Sequence, residues 1–285
     1  MAFGLANLDW LSVEIPRVPP KPLLTPLTAG YRRTPVLQIG ADVYCDTQNI
    51  AQTLCEQGAQ QMLFPEPSGT QALVLSDWID QQLFPLAARV VITSALDTAP
   101  PEFVKDRGDL YFGSGWSVEQ LKTDFGGVVM QLNAGLHTLN ASFAGRDVKS
   151  SDLSYADVAV AFLCWFLRGR WERGPEVLST YPKLCEIESA VCALGHGSDT
   201  ALDAEAALQI AHDAEPESAM GILVPSEFAV GQPITIQPFI ASSDPAVQGT
   251  LRYLDQTRVS IDHVHPMVGQ IAVHFPVLGY QIRPL

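Results

Sequence analysis

The sequence predicts a short α/β unit, then an all-α helical domain, then a small C-terminal β-barrel of the SH3-like kind. Three observations predict this order. Between Gly30 and Leu54 two short β-type runs lead into a capped helical pattern. From Thr70 to Leu194 the apolar residues recur at three- and four-residue steps, the spacing of one helix face. After Gly195-His196-Gly197 come short β-rich runs separated by Pro, Gly, Asp and Ser, whose number and length fit a small barrel.

In the first region, Trp10 to Ile15 (WLSVEI) alternates and is expected to form a strand. Pro16, Pro19, Pro20, Pro22 and Pro26 then forbid a regular element and make residues 16–26 an extended loop. Pro35 to Ile39 is a strand, Gly40-Ala41 a turn, and Asp42 to Cys45 the return strand. Thr47 to Glu56 carries Ile50, Ala51 and Leu54 at helical spacing. Pro65, Glu66, Pro67, Ser68 and Gly69 read as a linker, which places the domain boundaries at 1–66, 67–197 and 198–285.

The helical region contains a helix from Thr70 towards Val91, kinked or interrupted by Pro85, because proline lacks the N–H and its ring clashes with the preceding turn. Ser117 to Ala144 is a second long helix. Ser154 to Leu167 is a third, apolar almost all round and therefore expected at the buried centre. Its start, Ser154-Tyr155-Ala156-Asp157, is a capping box with Leu153 and Val158 as a hydrophobic staple. Pro182 to Leu194 is a fourth. In the last region Ala204 to Ala214 is a short helix, followed by strands at 234–240, 249–254, 258–263, 270–275 and 280–283.

Composition bounds the function. The 285 residues carry a formal net charge of −14, which repels nucleic acid and anionic membrane surfaces. No window approaches 18 uninterrupted apolar residues, so no membrane span is predicted. The start, MAFGLANLDW, lacks the features of a secretory signal. Cysteines 45, 55, 164, 185 and 192 contain no C-x-x-C pair and read as buried, reduced thiols of a cytoplasmic protein.

Several residues carry a bland and a sharp reading. Asp46-Thr47 opens a helix. Its bland role is an N-cap, and its sharp role is to hold a charged ligand end where free N–H groups collect. Thr34-Pro35 is a strand-initiating X-Pro pair. Arg32-Arg33 could meet an anionic ligand or be solvated in a loop. Cys45 precedes Asp46 on an alternating strand with no histidine near in sequence, which favours a structural thiol over a nucleophile. His263 and His265, with His274, invite a metal reading that lacks a fourth ligand, and no metal site is assigned. Tyr111, Phe112, Trp116 and Phe84 are core aromatics or the wall of a pocket.

Thr34-Pro35-Val36, followed about eleven residues later by Asp46-Thr47 and then by the Ser154–Asp157 capping box, resembles the glutathione S-transferase family. The resemblance covers residues 1 to about 197 and implies a thioredoxin-like domain joined to the family's helical domain. It implies that Pro35 is cis, that a neighbour of Pro35 (Thr34, or Val36 if the motif is shifted) bonds the cysteinyl backbone of glutathione, and that Asp46 and Thr47 hold its γ-glutamyl end. Pro35, Val36, Asp46 and Thr47 are thus the expected glutathione-binding residues, with glutathione as co-substrate.

The family's first strand, and the Ser, Cys or Tyr at its end that activates the thiol, have no counterpart in the sequence. The thioredoxin-like unit is therefore expected to be incomplete, by truncation first, or by genuine loss, or with the gap filled from the tail or a partner chain. No catalytic residue is assigned, and Ser12, within a strand, is not a substitute. The implied function is glutathione-dependent conjugation, isomerisation or cleavage of a small electrophile, in secondary metabolism or degradation. The alternatives are a non-catalytic binding or scaffold protein, or a cofactor-free cyclase or isomerase. Dimerisation through the α/β unit of one subunit and the helical domain of the other is a further implication.

Overall fold

A computed structural model describes residues 1–239 and 244–285. In chain order its elements are α1 (Ala2–Leu5), β1 (Asp9–Ser12), β2 (Val36–Ile39), β3 (Asp42–Cys45), α2 (Thr47–Leu54), α3 (Gln60–Leu63), α4 (Gly69–Trp78), α5 (Phe84–Ser94), α6 (Pro101–Tyr111), α7 (Val118–Ser142), α8 (Tyr155–Arg170), α9 (Gly174–Ser179), α10 (Pro182–Ala193), β4 (Ser198–Ala201), α11 (Ala204–His212), β5 (Gly221–Ile222), β6 (Pro233–Pro238), β7 (Val247–Leu254), β8 (Arg258–His265), β9 (Gly269–Pro276) and β10 (Tyr280–Pro284). They fall into two compact units, one of Met1–Trp10 with Leu54–Asp199, the other of Leu11–Thr53 with Thr200–Leu285. None of the described helices is long and apolar enough to cross a membrane.

The helical unit follows the sequence closely. Helix α7 is capped by Ser117, whose hydroxyl accepts from Gln120 N–H at 3.1 Å. Helix α8 has the expected capping box, and Arg146 joins it by gripping both oxygens of Asp157 at 2.5 and 3.0 Å. Pro85 does perturb its helix. The segment Ile79–Leu83 widens to π geometry immediately before α5, which accommodates a residue that cannot donate to the turn behind it. Helix α8 departs from the expectation of burial all round. Val160, Leu163, Cys164 and Leu167 are fully buried, but Phe162 and Trp165 are each 42% exposed, so one face of this helix is wet. Helices α6 and α9 lacked a recognised signal. Both open with proline near the first position, where the missing N–H costs nothing.

The other unit departs from the expected closed barrel. All five expected tail strands form, except that Ile240 lies outside the described residues. They do not close on themselves. The strand path is open, β10-β6-β7-β8-β9-β3-β2, with β5 beside β7. The link is a parallel pairing of β9 with β3, Asp42↔Ala272 to Tyr44↔His274. The tail is therefore continuous with the α/β hairpin. This junction is on the β3 side, and β2 is the terminal strand at the other end. One apolar core unites the two sequence regions, with Val43, Cys45, Leu208, Ile261, Val273 and Phe275 among its buried members. Strand β1 leaves the main sheet and pairs with β4.

Candidate functional site

The β2–β3 hairpin brings together the two motifs that are about eleven residues apart in sequence. The strands are antiparallel with Val36 opposite Cys45, so Thr34-Pro35 and Asp46-Thr47 lie at the same end of the hairpin. The Thr34–Pro35 bond is cis. Thr34 and Pro35 are exposed, and Val36 is half-buried. Because β2 has a strand neighbour on one side only among the described residues, alternate backbone groups of Val36–Ile39 point away from β3, the geometry that receives an extended peptide-like ligand.

Asp46 terminates β3 with φ +77°, a left-handed conformation that Asp tolerates better than most residues. That turn lets its carboxylate reach back over α2. Oδ1 accepts the Gln48 N–H at 3.0 Å, so the N-cap reading of Asp46 holds. Oδ2 accepts the Tyr280 hydroxyl from β10 at 3.1 Å. The Tyr31 and Tyr280 hydroxyl oxygens are 3.1 Å apart. With its own proton committed to Asp46, Tyr280 accepts and Tyr31 donates. Burial first, and Asp46 second, push both tyrosines well above their ordinary range, so both remain neutral phenols near neutral pH.

Arg32 and Arg33 are not simply solvated. The Arg32 Nε donates to Asp244 Oδ1 at 2.6 Å, and the Arg33 Nε to Asp244 Oδ2 at 2.5 Å. Tyr31, Tyr280 and Asp244 were not singled out from sequence, since the latter two lie more than two hundred positions from the cradle and carry no local motif.

Behind the cradle a buried polar network fixes the hairpin. His274 Nε2 lies 2.8 Å from Asp42 Oδ1, and its Nδ1 lies 2.6 Å from Ser260 Oγ. Asn49, fully buried on α2, donates to the carbonyls of Cys45 at 3.1 Å and His274 at 2.9 Å and accepts from Arg258 Nε at 3.1 Å. His274 is thus engaged away from His263 and His265, whose rings stack 6.3 Å apart on β8. Cys45 is fully buried, and burial pushes its thiol up, which removes it as a nucleophile. In the helical unit Phe84 packs edge-on against Tyr111 at 5.7 Å. Tyr111, Phe112 and Trp116 pack on the buried residues Ile92, Val104 and Leu121, which makes these three partly core.

Comparison with known proteins bears on the family of the chain. Residues 1–61 fit the family described as glutathione S-transferase, N-terminal domain. A solved structure, a GST-like protein from Pseudomonas syringae, is similar at 30% identity and a TM-score of 0.73, over 100% of this chain and 93% of that one. The chain belongs to the glutathione S-transferase family. That likeness spans residues 198–285 as well, so the β-rich tail lies within the length matched to that GST-like structure. A search of curated proteins gives no match.

Proposed function

We propose that the chain binds glutathione at the hairpin end, with the backbone around Pro35 and Val36 taking the cysteinyl segment and Asp46 and Thr47 the γ-glutamyl end. The observation that carries this reading is the register Val36↔Cys45, which sets the two motifs side by side. The donor set fits such a ligand. An extended thiol peptide needs main-chain partners along a strand and a charged anchor at a helix start, and the hairpin end has both. The bound thiol would be presented to a small electrophile, for conjugation, isomerisation or cleavage. When bound, glutathione supplies the nucleophilic sulfur, and this chain's residues hold and orient its cysteinyl backbone and its γ-glutamyl end.

A second reading is favoured by one contact. Tyr280 already holds Asp46, and the cradle's neutral tyrosines do not offer a general base, so the site suits binding without turnover. Calorimetric titration with S-methylglutathione tests the binding claim. Asp46→Asn is expected to weaken binding at least about tenfold through loss of one charge-assisted contact. Binding that is absent in the wild type, or indifferent to Asp46→Asn and Thr47→Ala, overturns it. Turnover of an aryl halide with glutathione then separates the transferase from the binding protein.

A further inference from the structure

We propose that Asp244 is an internal carboxylate ligand of the cradle, held by Arg32 and Arg33, and that a carboxylate-bearing ligand binds here by displacing it. The proposal rests on the glutathione reading only for the identity of the natural ligand.

Three features distinguish this contact from an ordinary surface ion pair. First, two consecutive arginines converge on one carboxylate, one Nε to each oxygen, at 2.6 and 2.5 Å. Consecutive side chains of an extended chain point to opposite faces, so convergence requires a backbone shaped to bring both guanidinium groups to one anion. Second, the carboxylate is sequestered. The Asp244 side chain is 5% exposed, against 18% for Arg32 and 29% for Arg33. Removal from water strengthens such contacts and makes an unfilled grip costly. Burial opposes the Arg33 charge, but Asp244 foremost, with Tyr31 and Tyr280, keeps the guanidinium's pKa raised on balance. Third, Asp244 precedes β7 rather than lying within a packed strand, whereas the arginines lead directly into Thr34-Pro35. The anion grip therefore belongs to the cradle, and the anion comes from elsewhere in the chain.

Tyr280 completes the pattern. It belongs to the same tail and places its hydroxyl on Asp46, at the other end of the proposed ligand. Two tail side chains thus satisfy the anionic and cationic ends of the cradle with groups of complementary character. A tethered group competes at an effective concentration of about a millimolar. A simple carboxylate in solution must exceed that concentration to displace it, whereas a ligand that also engages Asp46 and the β2 edge needs less.

The test is calorimetric titration of the full chain with malonate and, separately, with S-methylglutathione. Asp244→Asn is expected to bind both about tenfold more tightly than wild type, as a competitor of about millimolar effective concentration is removed. The gain should vanish when Arg32→Gln and Arg33→Gln are added. Unchanged or weaker malonate binding by folded Asp244→Asn overturns the proposal. Malonate tightening without any S-methylglutathione binding supports internal occupancy and sinks the glutathione reading. Equal S-methylglutathione affinity in both proteins does the reverse. Should Asp244→Asn fail to fold, the wild type decides. Malonate at tens of millimolar (roughly tenfold above the tether's effective concentration) should shift the Arg32 and Arg33 Nε–H resonances, and no shift overturns the proposal.

Discussion

His274 Nε2 stands 2.8 Å from Asp42 Oδ1, although 232 positions separate them in the chain. The contact crosses the β9–β3 junction and clamps the tail sheet to the cradle hairpin. Asp42 also accepts the backbone N–H of Glu217 at 2.8 Å, and Ser260 Oγ sits on the other imidazole nitrogen. Serine, histidine and aspartate in contact invite a nucleophilic triad, but here serine is on Nδ1 and aspartate on Nε2, the reverse of the usual hydrolase order. Ser260 is also wholly buried, so no substrate reaches it. The network is structural. Asp42→Ala or His274→Ala leaves buried partners unsatisfied and should cost about 2–4 kcal/mol in urea unfolding. A loss under about half a kilocalorie would show that the clamp is incidental.

The same pair sets the response to acid. Burial, outweighing the Asp42 contact, holds the His274 imidazole below its ordinary 6.5. Between 6.5 and that lowered value the unfolded chain binds a proton that the native state refuses. The stability is fully present above pH 6.5 and falls as pH drops below it. Asp42 adds a second window. Burial opposes its charge, but bonds from His274, Ser218 and Glu217 keep it below its ordinary 3.8, so its contribution is lost as pH falls through that lowered value. Urea midpoints at about pH 7.5 and about pH 5.5 should differ. His274→Gln should flatten the difference, and an unflattened profile would place the titration elsewhere.

Asp157 is the strongest single tie at the start of α8. It is fully buried, returns a bond to the Ser154 N–H at 2.8 Å and takes both branches of Arg146. Asp157→Ala removes a cap and strands a guanidinium, and about 3 kcal/mol of destabilisation is expected. Ser154→Ala should cost about 1 kcal/mol. Unfolding midpoints followed by circular dichroism rank the two, and the reverse order would refute the ion-pair argument.

Gly108 inverts a general rule. In an exposed helix Gly→Ala stabilises by up to about 1 kcal/mol. Here an added Cβ in α6 would stand 2.1 Å from the Trp116 ring, which is anchored by its own Nε1 on Asp109 Oδ1 at 2.9 Å. Gly108→Ala should therefore destabilise by about 1–3 kcal/mol, with a change in Trp116 fluorescence. A stabilised variant would mean that the indole yields freely.

The cysteines separate by access. Cys192 is exposed, whereas Cys45 and Cys164 are buried. Burial pushes the Cys55 thiol up to about 11 and raises Cys192 as well. Labelling with an aromatic disulfide should show one leading phase from Cys192, slower than a free thiol, and Cys192→Ser should remove it. Cys45 and Cys164 should react only on unfolding.

Local physics made much of this protein legible. The hairpin at 36–45, the long helix from Ser117, the box at Ser154–Asp157 and the tail strands each depend on residues within a few positions of one another, and those positions were read correctly. The register that sets Val36 opposite Cys45 follows in the same way from the Gly40-Ala41 turn, which returns the chain antiparallel. The closed barrel was misjudged because strand count and length do not state which strand is the neighbour of which. The full burial of α8 was misjudged because apolar content does not state how many sides are covered.

The sequence by itself determined most of the elements and the glutathione-transferase resemblance, consequences of short-range periodicity, capping and turn chemistry. Only the tertiary structure decided that β9 lies parallel to β3, that His274 meets Asp42, and that Asp244 and Tyr280 come to rest on Arg32, Arg33 and Asp46. These contacts join positions more than two hundred residues apart. Such contacts are selected by burial of a shared core and by satisfaction of every polar group within it, and neither leaves a mark on the local pattern of residues.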